Sequence, residues 1–253
     1  MEKGKLANKV ALVTGAGQGV GQGIALALAK EGARVAVTGR TIEKLEATCT
    51  AIIDRGGEAF PVVCDVKNKQ ALISLVDQVI AQLGGLQILV NNAQEVPLGN
   101  LLSVTDDAFE AGWQSGPQAT LRLMQLCHPY LKGDGCIINL ASSAAKRWDM
   151  SNYGAYAAVK EAIRSLSRAA AAEWGPDNIR TNVILPHALS PGMEGWMEQN
   201  PAEAAAFVAT IPQRRVGDCE KDIGRFVASL CSDESSYVNG QSIALDGGQA
   251  LIA

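Results

Sequence analysis

The stretch TGAGQGVG (residues 14–21) follows the apolar run VALV (residues 10–13) and holds four glycines in eight residues. Its spacing is T-G-x-x-x-G-x-G and does not match the G-x-G-x-x-G dinucleotide motif. A glycine-rich turn between a strand and a helix exposes backbone N–H groups at the helix N-terminus, where they bind a pyrophosphate. We therefore expect Gly15 to permit a tight turn, Gly19 to allow close approach of a ligand, and Gly21 to allow close helix–strand packing.

Apolar strand patterns alternate with helical patterns along the rest of the chain. The predicted strands are Val10–Thr14, Val35–Thr38, Ala59–Cys64, Leu86–Val90, Cys136–Leu140, Ile179–Leu185 and Ser242–Leu245. The predicted helices are Gly21–Glu31, Ile42–Asp54, Lys69–Leu83, Asp106–Leu131, Tyr153–Trp174 and Asp218–Leu230. Near-continuous apolar strands that alternate with helices predict the α/β class, with a mostly parallel sheet of about seven strands covered on both faces.

The chain shows no internal repeat and no linker, so we expect residues 1–253 to form a single domain. Its least regular part is residues 186–213, which contain four prolines. A long irregular segment in a compact domain is often a binding loop. We therefore predict a substrate loop at about residues 186–215.

Composition restricts the class of partner and the compartment. The formal net charge of −4 argues against nucleic-acid and anionic-membrane partners. The N-terminus has no apolar stretch for a signal peptide, and no apolar run approaches the length of a membrane span. The six cysteines are scattered without a CxxC pair, which favours reduced, mostly buried thiols in a cytoplasmic protein. No His/Cys spacing indicates a metal site.

Three groups of polar residues suggest chemistry. Tyr156 and Lys160 lie at i and i+4 in a helical pattern, hence on one face. A lysine ammonium beside a phenol favours the phenolate, so we expect the pKa of Tyr156 to fall from about 10 and the residue to act as a general acid/base. Ser142 ends the fifth predicted strand, and the sequence NNA (residues 91–93) ends the fourth, at the sheet edge where ligands bind in open α/β sheets.

Together these motifs resemble the short-chain dehydrogenase/reductase family over essentially the whole chain. The matching pieces are TGAGQGVG (14–21), Asp65-Val66, NNA (91–93), the serine at the end of the fifth strand, YAAVK (156–160) and LDGG (245–248). Each motif is weak alone, but their order and spacing are specific. The resemblance implies a Rossmann-type doubly wound fold, a nicotinamide cofactor, hydride exchange between an alcohol and a carbonyl, and a homotetramer.

The resemblance also implies roles for individual residues. Tyr156 would be the acid/base, Lys160 would tune it and hold the nicotinamide ribose, and Ser142 would polarise the substrate carbonyl, with Ser143 as the alternative. The implied cofactor-binding residues are Thr14, Gly15, Gly17, Gln18, Gly19, Val20, Gly21, Arg40, Asp65, Val66, Asn92, Ala93, Tyr156, Lys160 and Pro186. The implied substrate-binding residues are Gln94, Ser142, Trp148, Tyr153, Tyr156 and His187. The segments that resemble the family's substrate walls contain aromatic and apolar side chains, which suit an apolar or cyclic substrate; these are Trp148, Met150, Tyr153, Met193, Trp196 and Met197.

The end of the second strand predicts which dinucleotide is preferred. An acidic residue there would bind the adenosine ribose hydroxyls and repel a 2′-phosphate. The sequence instead has Gly39 followed by Arg40, and an arginine pairs with phosphate in a bidentate way. We therefore expect NADP(H) to be preferred over NAD(H).

Three positions depart from the family pattern. Gly116 stands where the family usually has an asparagine that supports a water-linked proton relay, Gln94 replaces the glycine of NNAG, and His187 replaces the glycine of Pro-Gly. Pro117 would kink the helix and free the carbonyl of Trp113. We expect this carbonyl to bind a water that continues the proton relay without the asparagine side chain. The alternative is a weakly active or non-catalytic nucleotide-binding protein.

Overall fold

In the computed structural model, which describes residues 4–147 and 152–250, seven strands form one sheet. The strands are β1 (Val10–Thr14), β2 (Arg34–Gly39), β3 (Glu58–Val63), β4 (Ile88–Asn91), β5 (Gly135–Leu140), β6 (Ile179–Pro186) and β7 (Ser242–Leu245). Their spatial order is β3-β2-β1-β4-β5-β6-β7, and neighbouring strands pair in parallel. The predicted α/β class, a Rossmann-type doubly wound sheet of about seven strands, is confirmed.

Helices cover both faces of the sheet. They are α1 (Gly19–Lys30), α2 (Ile42–Ile53), α3 (Lys69–Leu83), α4 (Asp106–Trp113), α5 (Ala119–Leu131), α6 (Gly154–Trp174), α7 (Pro191–Gln199), α8 (Pro201–Thr210) and α9 (Arg225–Leu230). Side chains alternate across β1 as a strand requires. Ala11 and Val13 pack with α1, α2 and α9, whereas Val10 and Leu12 pack with α3 and α5. The strands are therefore buried on both faces, as their apolar runs predict.

The strand order reverses between β1 and β4. β1 is followed by a connection to β2 on one side, and β4 leads to β5 on the other. A crevice opens beyond the carboxyl ends of two parallel strands at such a reversal, and ligands of open α/β sheets bind there. The glycine-rich turn follows β1 and the sequence NNA lies at the end of β4, so both motifs lie at this crevice.

The prediction of an irregular segment over residues 186–213 is wrong. Two helices, α7 and α8, occupy most of it. Each begins with a proline at its first position, where the missing N–H costs no hydrogen bond. Ser190 caps α7, because its side chain accepts a hydrogen bond from the Met193 N–H.

Two of the helices predicted from the sequence contain π-helical segments. The predicted helix over 106–131 consists of α4, a π-helical segment at Gln114–Gln118, and α5. Pro117 lies inside that segment and has no backbone N–H to donate. The segment accommodates the proline by pairing residues five apart instead of four apart. The predicted helix over 218–230 likewise begins with a π-helical turn, Cys219–Gly224, before α9. None of the helices described is long and apolar enough to cross a membrane.

Candidate active site

Thr14 and Asn92 join the end of β1 to the end of β4. The Thr14 hydroxyl oxygen accepts hydrogen bonds from the N–H groups of Asn92 and Ala93, at 2.9 and 3.0 Å. In return the Asn92 side-chain amide donates to the carbonyls of Thr14 and Gly15, at 2.8 and 3.1 Å. This reciprocal pairing fixes the glycine-rich turn relative to the strand that follows it in space.

The glycines of the turn make room for Asn92. Gly15 has φ +64°, a left-handed conformation, and a Cβ atom there would lie 2.7 Å from Asn92 Nδ2. A Cβ atom at Gly21 would lie 2.4 Å from the same nitrogen and from the Gly15 carbonyl oxygen. Neither position can carry a side chain without displacing the asparagine, which accounts for the spacing of these two glycines.

The first turn of α1 suits an anionic ligand. Gln18 is the N-cap residue and makes no side-chain hydrogen bond to the helix, and the first turn contains no acidic residue. The N–H groups that begin a helix therefore lack an anionic side chain here, and a pyrophosphate would supply the missing charge. Gly17 and Val20 belong to the same turn, and Val20 packs against the core. The residues present thus fit the diphosphate of a dinucleotide.

Ser142, Tyr156 and Lys160 come together beyond β5 and at the start of α6. The Ser142 side chain lies close enough to Tyr156 to lower its pKa as a hydrogen-bond donor. The Lys160 ammonium lies 5.5 Å from the centroid of the Tyr156 ring and donates to the Leu140 carbonyl at 2.7 Å. Ser143, the alternative serine, is buried at the start of a short 3₁₀ turn. The geometry therefore brings Ser142 to the tyrosine.

The pKa values of this cluster differ from the expectation. Burial raises the pKa of Tyr156 to about 12, and the hydrogen bond from Ser142 opposes that rise only in part. Burial lowers the pKa of Lys160 to about 7. The expectation that the lysine ammonium lowers the tyrosine pKa is thus wrong for the protein without cofactor, because loss of water disfavours both charged forms. In this state the phenol holds its proton, as a general acid must.

Arg40 lies at the end of β2, within an ion-pair cluster. Its guanidinium is 2.8 Å from Glu95 Oε1, and the Lys67 ammonium is 2.9 Å from the same oxygen. Asp65 stabilises the turn that carries Lys67, because its carboxylate accepts the Lys67 N–H at 3.0 Å. Val66 is buried in the core beneath that turn. The ends of β2, β3 and β4 thus meet through charged side chains.

Comparison with known proteins identifies the family. The family model described as enoyl-(acyl carrier protein) reductase matches residues 15–250. The chain is 40% identical over 252 residues to 12alpha-hydroxysteroid dehydrogenase from Clostridium sp., covering 95% of this chain and 96% of that protein. The chain belongs to the short-chain dehydrogenase/reductase family.

Solved structures of short-chain dehydrogenase/reductases share the fold closely. Levodione reductase superposes with a TM-score of 0.90 at 29% identity, over 96% of this chain and 98% of that one. A short-chain dehydrogenase from Burkholderia cenocepacia J2315, solved in complex with NADP, superposes with a TM-score of 0.90 at 30% identity, over 97% of this chain and 99% of that one. The protein is accordingly an NAD(P)-dependent short-chain dehydrogenase/reductase.

Within this short-chain dehydrogenase/reductase, two of the departures from the family pattern are in contact. A Cβ atom at Gly116 would lie 2.3 Å from Gln94 Oε1 and 2.8 Å from Gln94 Nε2. The Gln94 amide nitrogen donates to the carbonyls of Glu95 and Gly112, each at 2.8 Å. Gln94 therefore packs against the π-helical segment, a contact that the sequence analysis missed because no local pattern signals it.

The π-helical register also changes the expectation for Trp113. In a π-helix the N–H of residue i+5 pairs with the carbonyl of residue i. In the π-helical segment that begins after Trp113, this register makes the Gln118 N–H the backbone donor due to the Trp113 carbonyl. The carbonyl that receives an outside donor is that of Gly112, from Gln94.

The predicted substrate-binding residues have different surroundings. Tyr153 lies beside the acid/base, with its ring centroid 6.1 Å from that of Tyr156. His187 follows Pro186 at the end of β6, and its ring packs edge-on against Phe207 of α8, at 5.3 Å between centroids. Burial lowers the pKa of His187. Trp148 lies outside the described residues. In the part of the chain that the structure describes, no group of three His, Cys, Asp or Glu side chains is placed to hold a metal ion.

Proposed function

We propose that this protein interconverts an alcohol and a ketone or aldehyde with NADP(H). The observation that carries the proposal is the cluster of Ser142, Tyr156 and Lys160 beyond β5, at the same sheet edge as the glycine-rich turn. The bound nicotinamide would supply or accept the hydride. Tyr156, protonated in the free protein, donates its proton to the carbonyl oxygen, and Ser142 donates a hydrogen bond to that oxygen.

In this proposal Lys160 holds the nicotinamide ribose. Its buried amine lies near the Tyr156 ring. Its ammonium donates to the Leu140 carbonyl, which leaves further N–H donors for a ribose hydroxyl. The glycine-rich turn (14–21), with Asn92 and Ala93, holds the diphosphate side of the cofactor. Asp65, Val66 and Pro186 complete the proposed cofactor contacts.

We propose an apolar or cyclic substrate. Tyr153 places an aromatic ring against Tyr156, and α7 and α8 contribute Trp196 and Phe207, whose ring centroids are 5.9 Å apart. The relative with 40% identity is named for a hydroxysteroid, a rigid apolar ring system with a secondary alcohol. Gln94, Trp148 and His187 complete the proposed substrate contacts. A hydroxysteroid or the corresponding oxo-steroid is the first substrate to test.

We propose NADP(H) as the preferred cofactor, because Gly39 removes the acidic residue that would repel a 2′-phosphate and Arg40 adds a cation. The side chain of Arg40 is 63% exposed, so a bound dinucleotide can reach it. Arg40→Ala should lower NADPH affinity about tenfold and change NADH affinity less than twofold. Equal affinity of the unchanged protein for both dinucleotides would contradict the preference.

The decisive test of function is nicotinamide absorbance with a panel of oxo-steroids, cyclic ketones and linear aldehydes. The proposal predicts turnover with NADPH, fastest with the cyclic compounds. NADPH binding without turnover on any compound would instead support a non-catalytic nucleotide-binding protein.

We also propose that residues 1–253 act as one catalytic domain within a cytoplasmic homotetramer. All six cysteines are free, which supports a reducing compartment. Exposed apolar side chains on and before α4 support subunit contacts; these are Leu101, Leu102, Phe109 and Trp113. Light scattering on the purified protein should give four times the chain mass, and a monomer mass would contradict this.

A further inference from the structure

Glu95 bridges two cations that lie at the ends of neighbouring strands. Its Oε1 atom is within 2.8 Å of Arg40 Nη1, after β2, and within 2.9 Å of Lys67 Nζ, after β3. Glu95 itself lies in the segment after β4. One carboxylate oxygen therefore satisfies both cations across the strand ends where the adenosine half of a dinucleotide binds in such sheets.

The main chain around Glu95 is fixed by independent contacts. The Glu95 N–H donates to Ser115 Oγ at 2.9 Å, and the Glu95 carbonyl accepts from Gln94 Nε2 at 2.8 Å. Ser115 in turn donates to the Ala111 carbonyl at 2.7 Å. Since α4 and the π-helical segment anchor its backbone, Glu95 stays near the two cations unless its side chain rotates away.

We propose that Glu95 determines cofactor specificity by occupying the cation pair that receives the 2′-phosphate of NADP(H), with Lys67 as a second phosphate-binding residue beside Arg40. This inference rests on the proposed function. A phosphate and a carboxylate cannot share the same two cations without repulsion, so the Glu95 side chain must give up its ion pairs when the phosphate binds. The carboxylate thus weakens NADP(H) binding and leaves NAD(H) binding nearly unchanged.

The test compares dissociation constants of NADPH and NADH for the unchanged protein and for Glu95→Gln, by calorimetry at low salt. Removing two partly exposed ion pairs should tighten NADPH binding about tenfold, with less than a twofold change for NADH. The gain should shrink in 1 M salt, because exposed charges are screened. Lys67→Gln should weaken NADPH binding about fivefold. Glu58→Gln is the matched control, since Glu58 is an exposed carboxylate at the opposite end of β3.

Unchanged or weaker NADPH binding by Glu95→Gln, or an equal gain for NADH, would overturn the inference. Adenosine 2′,5′-bisphosphate against AMP, on the same variants, separates this outcome from failure of the proposed function. If turnover is absent but Glu95→Gln still tightens the bisphosphate selectively, the proposed catalytic step fails, whereas the proposed NADP(H) binding and the inference that rests on it both stand.

Discussion

The side-chain amide of Gln94 occupies the space that a side chain at Gly116 would need. A Cβ atom at position 116 would lie 2.3 Å from Gln94 Oε1, closer than real Cβ contacts come. Two departures from the family pattern therefore form one local arrangement, in which position 116 carries no side chain and the Gln94 amide of the neighbouring segment fills the space. The amide is fixed by its two hydrogen bonds to the carbonyls of Glu95 and Gly112.

Gly116→Asn should lower both stability and turnover. The new side chain must displace the Gln94 amide from both of its carbonyl acceptors, at a cost of about 1–3 kcal/mol in the free energy of unfolding. Urea denaturation and NADPH turnover measure the two effects.

The matched control for this substitution is Gln94→Gly alone and in combination with Gly116→Asn. The double variant should be more stable than the sum of the single effects predicts, by about 1 kcal/mol or more, because the overlap is gone. Additive effects would show that the two positions are independent. A tenfold gain in turnover from Gly116→Asn alone would show that the native arrangement is defective.

The glycine-rich turn is likewise held by a side-chain amide, that of Asn92, which donates to two backbone carbonyls. Asn92→Ala removes two hydrogen bonds that the side-chain amide donates to the carbonyls of Thr14 and Gly15. We expect a loss of about 1–2 kcal/mol in the free energy of unfolding and weaker binding of both dinucleotides. Asn68→Ala, at the cap of α3, is a control that should lower stability but leave dinucleotide affinity unchanged. Unaltered dinucleotide affinity in Asn92→Ala would contradict this role.

The local sequence pattern is enough to predict the sheet. The runs of β1 and β4–β6 are apolar on both faces, and such runs between helical patterns fit few structures other than buried parallel strands. The glycine-rich turn and the pair Tyr156 and Lys160 can likewise be predicted from the sequence, since the spacing of these residues determines which groups lie together. The sequence pattern does not predict α7 and α8, because a cluster of prolines is typical of irregular structure, although Ser190-Pro191 and Asn200-Pro201 are typical helix starts.

Contacts between distant segments could not be predicted from the sequence. The packing of Gln94 against Gly116 and the bridge from Glu95 to Arg40 depend on how the segment after β4 lies against its neighbours. The predicted direction of the Tyr156 pKa shift is wrong for a related reason. Sequence spacing indicates that a lysine is close, but it does not indicate how deeply both groups are buried. Burial dominates both pKa values here.

The buried Lys160 should make stability depend on pH. Its pKa falls from 10.5 to about 7 on folding, so the folded protein binds this proton less tightly than the unfolded chain. This residue therefore costs stability below about pH 7, and the cost disappears as pH rises to about 10.5. Lys160→Met should be stabilising relative to the unchanged protein at pH 6, by about 2 kcal/mol, and progressively less so toward pH 10. Lys30→Met, at an exposed position on α1, is the control for the loss of a lysine side chain. A difference independent of pH would contradict the burial of the charge.

In the proposed reaction Tyr156 donates the proton, while the cofactor is held independently of the tyrosine hydroxyl. NADPH-dependent reduction of an oxo-steroid by Tyr156→Phe should be measured together with the NADPH dissociation constant of the same variant. Phenylalanine keeps the ring that packs against Tyr153 and removes the proton. We expect turnover to fall by at least ~10²-fold, with NADPH affinity within about twofold of the unchanged protein. Near-normal turnover by Tyr156→Phe would contradict it.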